Sequence, residues 1–377
     1  MHLFRLSLFY FLYFGAIGVY LPYFNFYCKD LGFNGFQLGI ISAVSPFARL
    51  AFPVFWGIYA DRFGNRNRLI GKAFLAAILS FSLLIWVKQF WGIVLVLMLY
   101  TFFIVPVLPL WEATVLEKLD LVKKDYGQVR LWGSLGFILL SLVVGLLLEF
   151  QPASVIIIVF LFLSFLNFGI LKIGPASVSS VVGLQRLDLS WIKGGKLLIF
   201  LMSCALMQAS HGTYYAFFTV FMSESNHSHL YIGFLWTIGV AFEVAFMIYA
   251  GKLIRRFSYE FIFSLTFLAT ALRWGLSSVV SGGPVFIFIQ GLHGLSFGLF
   301  HVCAVTWIAR LVPRAFQTTA QSLFSSATYG VGGIVGFLMN AFLYDDWGAQ
   351  KLWMLDCFIA LAGFGLSLIF VLIKNKK

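Results

Sequence analysis

The sequence predicts an all-α membrane protein of about twelve transmembrane helices, arranged as two pseudo-symmetric six-helix bundles. Three observations lead there. The 377 residues are 61% hydrophobic and only 11% charged, with a mean hydropathy of +0.95, a balance that an ordinary soluble domain does not reach. Apolar runs recur along the whole chain, each long enough to cross a hydrocarbon core of roughly 30 Å as a helix. The chain also matches itself: with Arg62-Phe63 set on Arg256-Phe257, an offset of 194, Gly18 falls on Gly212, Tyr20 on Tyr214, Phe24 on Phe218, Gly39 on Gly233 and Arg49 on Glu243.

The runs follow in order. The first, 4–28, has no small-residue cleavage site and is too long for a signal peptide, so it is expected to be kept as a first helix. The next five cover 36–60, 69–87, 90–112, 130–149 and 153–172. The longest polar connection then follows, with Gly174-Pro175, the Ser-rich 176–180, Arg186, Asp188 and Lys193. Its composition predicts a flexible cytoplasmic linker over 174–195, dividing an N-terminal bundle, 1–173, from a C-terminal bundle, 196–377. The second set of runs covers 196–223, 230–251, 259–280, 284–308, 316–343 and 350–373. Gly294 with Gly298, and Gly332 with Gly336, have the spacing of close helix–helix contacts.

A net charge of +12 raises the question of a nucleic-acid partner, but the basic residues lie in alternate loops instead of one patch. With the N-terminus inside, 21 of them fall on the inner side, from Arg5 through Arg62, Arg66 and Arg68 to Lys377, while only Lys29, Lys88 and Lys351 fall outside. Both termini are therefore expected to be cytoplasmic. Cys28, Cys204, Cys303 and Cys357 are dispersed among apolar neighbours and read as core thiols. No nucleotide-binding Gly-x-x-x-x-Gly-Lys-[Ser/Thr] loop is present. Gly294-Leu295-Ser296-Phe297-Gly298 has the letters of a nucleophile elbow but lies mid-span, without its strand and turn. On a regular helix His293 and His301 would stand about 12 Å and roughly 80° apart, too far to share an ion. Neither metal nor cofactor is expected, and the chain is not expected to be an enzyme. A multi-span acyltransferase using His293 or His301 is the rival from another class, without an acid–base partner at suitable spacing.

Ionisable residues inside a bilayer are costly, so each is a functional candidate. They are Arg49, Glu112, Glu243, Arg273 and Asp356, with Arg130 at a span boundary. Uncharged polar company comes from Asn25, Gln208, His211, Gln290, His293, His301, Gln321 and Asn340.

Two stretches carry a resemblance. Gly57-Ile58-Tyr59-Ala60-Asp61-Arg62-Phe63-Gly64-Asn65-Arg66 resembles the signature between the second and third spans of major facilitator superfamily transporters. In such a loop Gly57 would let a neighbouring helix approach closely, and Gly57, Asp61, Arg62, Gly64 and Arg66 would act on the conformational cycle. Glu112-Ala113, Glu117-Lys118 and Gly127-Gln128-Val129-Arg130-Leu131-Trp132-Gly133 resemble the lactose permease group of proton symporters, which implies a substrate-binding pair in Glu112 and Arg130. The 3-phenylpropionate permease branch is more similar still, through 125–134, Gln208 to Tyr215, Glu243, Leu272-Arg273-Trp274-Gly275, His293 and His301.

These resemblances imply the major facilitator fold and a monomeric, multi-pass protein of the plasma membrane, the inner membrane of a bacterium. Its partners would be the lipid bilayer, a proton and a small organic solute such as an aromatic carboxylate, imported by symport. A nucleoside or sugar is the alternative solute. Substrate contact is expected from Glu112, Arg130, Arg49, His211, Tyr214 and Tyr215, and proton coupling from Glu243, Arg273 and His293. One departure bears on coupling: where lactose permease has a Lys-x-x-His-x-x-Glu series, this chain has Gln290, His293 and Ser296. The missing carboxylate leaves Glu243 for that task.

Overall fold

The computed structural model describes residues 2–63, 65–122, 126–172, 195–280, 282–312 and 316–372. Gly64 and, apart from Gly195, the expected linker lie outside them, as do the side chains of Asp61 and Arg62. Among the described residues every regular element is a helix. In the first half these are α1 (His2–Asp30), α2 (Gly35–Ala51), α3 (Pro53–Phe63), α4 (Arg66–Ser82), α5 (Phe90–Ile104), α6 (Val107–Val122), α7 (Tyr126–Leu147) and α8 (Val155–Lys172). The second half holds α9 (Gly195–Ala209), α10 (Gly212–Glu224), α11 (His229–Arg256), α12 (Tyr259–Val279), α13 (Val285–Gly291), α14 (Phe300–Leu311), α15 (Gln317–Ser325) and α16 (Gly333–Leu372).

Nine of the described helical stretches are long and apolar enough to cross a membrane singly, and α2 with α3, bent by 43°, makes a tenth span. Gly348, at φ 70°, divides the longest stretch, Thr319–Ile369, into two, and the shorter apolar Val155–Leu171 fills the remaining place. Each expected run is thus matched by a helix or a broken pair. The breaks have local causes. Pro53 and Pro106 lack the amide hydrogen that a continuing helix needs, so α2 gives way to α3 and α5 to α6 there. The tenth run changes pitch, α13 passing into a π-helical turn at Gly294–Leu299 before α14.

By contact the chain forms two compact units. One gathers Met1–Phe33, Phe47–Leu184 and Ser228–Thr237; the other gathers Asn34–Pro46, Gln185–His227 and Ile238–Lys377. Each unit takes in the opening turns of one helix from the other half of the sequence, and these stretches begin at Asn34 and Ser228, again 194 apart. Within its unit each opening turn meets a carboxylate. Gly35 and Phe36 donate their amides to Asp345 Oδ1 and Oδ2 at 2.7 and 3.3 Å, and Leu230 donates its amide to Glu149 Oε1 at 2.9 Å. Negative charge at a helix N-terminus is favourable there.

In the first unit α1 packs along α7 so closely that a side chain at Gly136 would run into the Phe11 carbonyl. In the second, α9 meets the end of α15 and the start of α16. The Gly332–Gly336 spacing serves that contact, since a Cβ on Gly336 would come within 2.5 Å of the Ala209 carbonyl. Gly298 likewise lies against the Glu243 backbone. Gly57 differs from its expectation. A Cβ there would meet nothing within 4 Å among the described residues, because α3 turns an exposed flank outward at Val54, Phe55, Ile58 and Tyr59.

Candidate functional site

Two polar clusters stand out, one in each unit. In the second unit Arg273 is completely buried on α12. Its Nη2 donates to Gln290 Oε1 at 3.0 Å, and Nη1 donates to His293 Nδ1 at 2.8 Å and, more weakly, to Ser296 Oγ at 3.4 Å. The guanidinium carbon lies 4.3 Å from the centroids of both Tyr214 and Trp274, a cation–π arrangement on two rings. Gln290 also accepts from the Tyr214 hydroxyl at 3.1 Å. The three positions that replace the Lys-x-x-His-x-x-Glu series therefore converge on one arginine.

The far side of His293 faces a carboxylate. Its Nε2 is 3.5 Å from Glu243 Oε2, and Glu243 keeps 21% of its side chain exposed. Arginine has no acceptor, so Nδ1 must receive the hydrogen bond, and the neutral ring then carries its hydrogen on Nε2, aimed at Glu243. Nδ1 cannot take up a proton while Arg273 occupies it. The order is thus Glu243, His293, Arg273, running from a partly open carboxylate to a sealed cation.

His211 and Tyr214 join this cluster from behind. Both are buried, at 0% and 1% exposure, His211 holding the Met207 carbonyl through Nδ1 at 2.8 Å. Of the three residues expected on α10 and its entry to touch solute, only Tyr215 keeps a partly exposed surface. The break between α9 and α10 turns His211 inward, where its ring meets Trp274 edge-on with centroids 5.0 Å apart. His301 lies further along the same run and bonds the Tyr329 hydroxyl at 2.8 Å. The π turn re-phases the helix, so His293, Phe297 and His301 stack as a ladder, at 5.3 and 6.3 Å, instead of diverging around it. Phe297 separates the two imidazoles. Asp356 is buried completely near Thr213, with neither carboxylate oxygen in a well-formed hydrogen bond among the described residues.

The first unit holds the other cluster. Arg130 Nε lies 4.0 Å from Glu112 Oε1, the two side chains 35% and 33% exposed. Tyr126 donates its hydroxyl to the same Glu112 oxygen at 3.0 Å. The Arg130 guanidinium sits 3.8 Å from the centre of the Phe14 ring and 5.7 Å from that of Tyr10. Tyr13 lies within electrostatic reach of Arg49, Glu112 and Arg130 alike, and Tyr100 within reach of Arg49. Sequence reasoning paired Glu112 with Arg130 but assigned nothing to Tyr126, Phe14 or Tyr13. Tyr126 was readable in the matched stretch, whereas among so many aromatics Phe14 and Tyr13 carried no distinguishing signal. At the start of α4, Arg66 pairs with Glu117 at 2.7 Å and Asn65 caps the helix by accepting from the Arg68 amide.

Residues 3–355 match the family model described as the MFS_1 like family. The chain is 26% identical over 361 residues to the probable 3-phenylpropionic acid transporter of Escherichia coli (strain K12), covering 93% of each protein. It is 26% identical over 377 residues to the maltose permease of Geobacillus stearothermophilus, covering 98% of this chain and 94% of that one. Among solved structures, that of the nucleoside transporter NupG superposes with a TM-score of 0.87 at 19% identity, covering 100% of both chains. At that identity the likeness speaks for the fold.

Proposed function

This chain belongs to the MFS_1 like family, and from that premise we propose that it is a proton symporter importing an aromatic carboxylate of the phenylpropionate kind. That it is a multi-pass membrane transporter of the major facilitator superfamily follows from the family match and its apolar helices. The finer reading is ours. It takes the sequence halves 1–173 and 196–377 as the two bundles that alternate access, with both termini cytoplasmic in a bacterial inner membrane and the monomer as the working unit.

The single observation that carries the coupling is the Glu243–His293–Arg273 series. Glu243 is the partly exposed end and the only carboxylate of the three. With His293 Nδ1 occupied by Arg273, the proton enters and leaves at Glu243, and neutralising it removes the charge that the Nε2 hydrogen faces. Loading Glu243 thus weakens one tie between α11 and the turn holding His293, which is how a proton would bias the conformational equilibrium. Glu112, Arg130 and Arg49 form the solute-binding face of the first half. His211, Tyr214 and Tyr215 contribute from the second when access changes. Gly57, Asp61, Arg62, Gly64 and Arg66 act on the cycle at the inner side.

A nucleoside or sugar is the second reading, favoured by the Glu112–Arg130 pair. Arg130 is already balanced by a carboxylate, and a paired donor and acceptor suits hydroxyl groups. Purified protein in liposomes separates the possibilities. With a pH gradient as the sole driving force, 3-phenylpropionate should accumulate and a proton ionophore should abolish accumulation. Uptake driven by sodium alone, or of nucleosides or maltose in preference to the acid, would displace the reading. Glu243→Gln, a permanent mimic of the protonated form, should keep solute exchange and lose accumulation. If it concentrates solute as the parent does, coupling runs elsewhere.

A further inference from the structure

Three arginines, Arg49, Arg130 and Arg273, are expected in solute contact or coupling, and their surroundings differ in a way that bears on which one receives a carboxylate. Arg273 is completely buried, its donors directed at Gln290, His293 and Ser296, its faces covered by Tyr214 and Trp274. An incoming carboxylate has no access to it. Arg130 has Glu112 at 4.0 Å, so a second carboxylate there would stand beside one already present, and its guanidinium face is occupied by Phe14. Like charges sharing such a site repel.

Arg49 is different. It lies in the last turn of α2, just before the break at Pro53, and is exposed. The phenols of Tyr13 on α1 and Tyr100 on α5 lie within its electrostatic reach, and among the described residues no carboxylate stands within ion-pair distance of it. Both tyrosines are partly exposed. Tyr13 stacks on Phe9 with ring centroids 5.6 Å apart and meets Phe14 edge-on at 5.5 Å, so it belongs to the aromatic group that also receives Arg130. A guanidinium whose planar fork meets no carboxylate among the described residues, with two phenols in its electrostatic reach and a half-open aromatic surface next to Tyr13, is complementary to a carboxylate joined to an aromatic ring.

We propose that Arg49 is the specificity-determining residue that accepts the carboxylate of the transported solute, with the solute's ring laid against Tyr13. The assignment rests on the aromatic-carboxylate reading above and sharpens it. Arg130 and Glu112 then bind by stacking and hydrogen bonding, without reading the solute's charge. In the two-half alignment Arg49 falls on Glu243, so one pair of related positions carries the solute-binding cation in one half and the proton-binding anion in the other.

The test compares 3-phenylpropionate with its uncharged isostere 3-phenylpropionamide, measured by direct binding to the purified protein. The parent should favour the acid by about tenfold or more, the scale of one charge-assisted contact. Arg49→Gln should lose that preference, weakening the acid about tenfold while leaving the amide within about twofold. Arg49→Lys should recover part of it, since an ammonium restores charge but not the fork. Arg130→Gln should weaken acid and amide alike. A preference for the acid that survives in Arg49→Gln, or that disappears in Arg130→Gln instead, overturns the assignment alone. A parent that binds nucleosides or maltose and shows no preference for acid over amide overturns the carboxylate reading itself. Arg49 is exposed, so the melting temperatures of its variants should match the parent's, and a large fall would place the residue in the framework instead.

Discussion

The Arg130 cluster and the Arg273 cluster are each built from an arginine, a glutamate and aromatic rings, yet one is left open and the other is closed. Arg130 and Glu112 keep about a third of their surfaces and meet at 4.0 Å, the loose limit of an ion pair. Arg273 keeps no surface, and both its terminal nitrogens have buried partners. An exposed pair exchanges readily with a ligand because water already competes for it, and it contributes little to folding. A buried, bonded cation holds its neighbours in one arrangement and is costly to disturb. The difference suits the roles proposed for them: the first cluster would exchange solute, and the second would be a framework whose open end, Glu243, would carry the proton.

Removing Arg273 should therefore have the largest effect on the fold. Arg273→Met keeps approximate volume but leaves Gln290, His293 and Ser296 facing an apolar chain and uncovers both rings. A loss on the order of 3 kcal/mol or more is expected, since each buried polar group left without a partner costs about 1–3 kcal/mol, seen as a large drop in melting temperature in detergent. The equivalent change at Arg130 should leave the melting temperature nearly unchanged, since exposed pairs contribute at most about 1 kcal/mol. Equal destabilisation by the two variants would erase the contrast between the clusters.

Arg130→Lys tests the open cluster directly. Lysine keeps the charge toward Glu112 but loses the planar face that lies 3.8 Å from the Phe14 ring centre. Solute affinity should fall by about tenfold, or roughly 1.4 kcal/mol, with folding intact. An unchanged dissociation constant would take the stacked guanidinium out of solute binding and return the role to Glu112 or Arg49.

How much of this was readable in the sequence follows a physical line. Hydropathy located the spans, because crossing a bilayer constrains length and polarity over some twenty residues at once. The Gly332–Gly336 contact was readable because small residues at helical spacing admit a neighbouring backbone. Orientation within a bundle was not. In a chain that is 19% aromatic, lipid-facing and bundle-facing sides have similar hydropathy, so nothing marked His211 and Tyr214 as buried or Phe14 as Arg130's platform. Gly57 resembles a contact glycine and meets no neighbour among the described residues, since a motif gives a residue type without its neighbour. The stripe Gln290, His293, Ser296 was visible as a departure from a known series. Its convergence on Arg273 depends on how α12 packs against that run, which no residue type in the stripe announces.

The smallest effect belongs to Tyr126, and it examines the open cluster most finely. Its hydroxyl reaches Glu112 Oε1 at 3.0 Å, the same oxygen that faces Arg130 Nε. Glu112 is therefore held from two sides, and Tyr126→Phe removes one of them while keeping the ring that meets Tyr10 edge-on at 6.3 Å. One hydrogen bond at a half-exposed site contributes about 0.5–1.5 kcal/mol. If Tyr126 orients Glu112 for the solute, the variant should weaken binding by less than tenfold, and adding it to Glu112→Gln should cost nothing more, because the two share one path. Additive losses would mean that Tyr126 touches the solute itself, making the open cluster a three-residue site instead of a tethered pair.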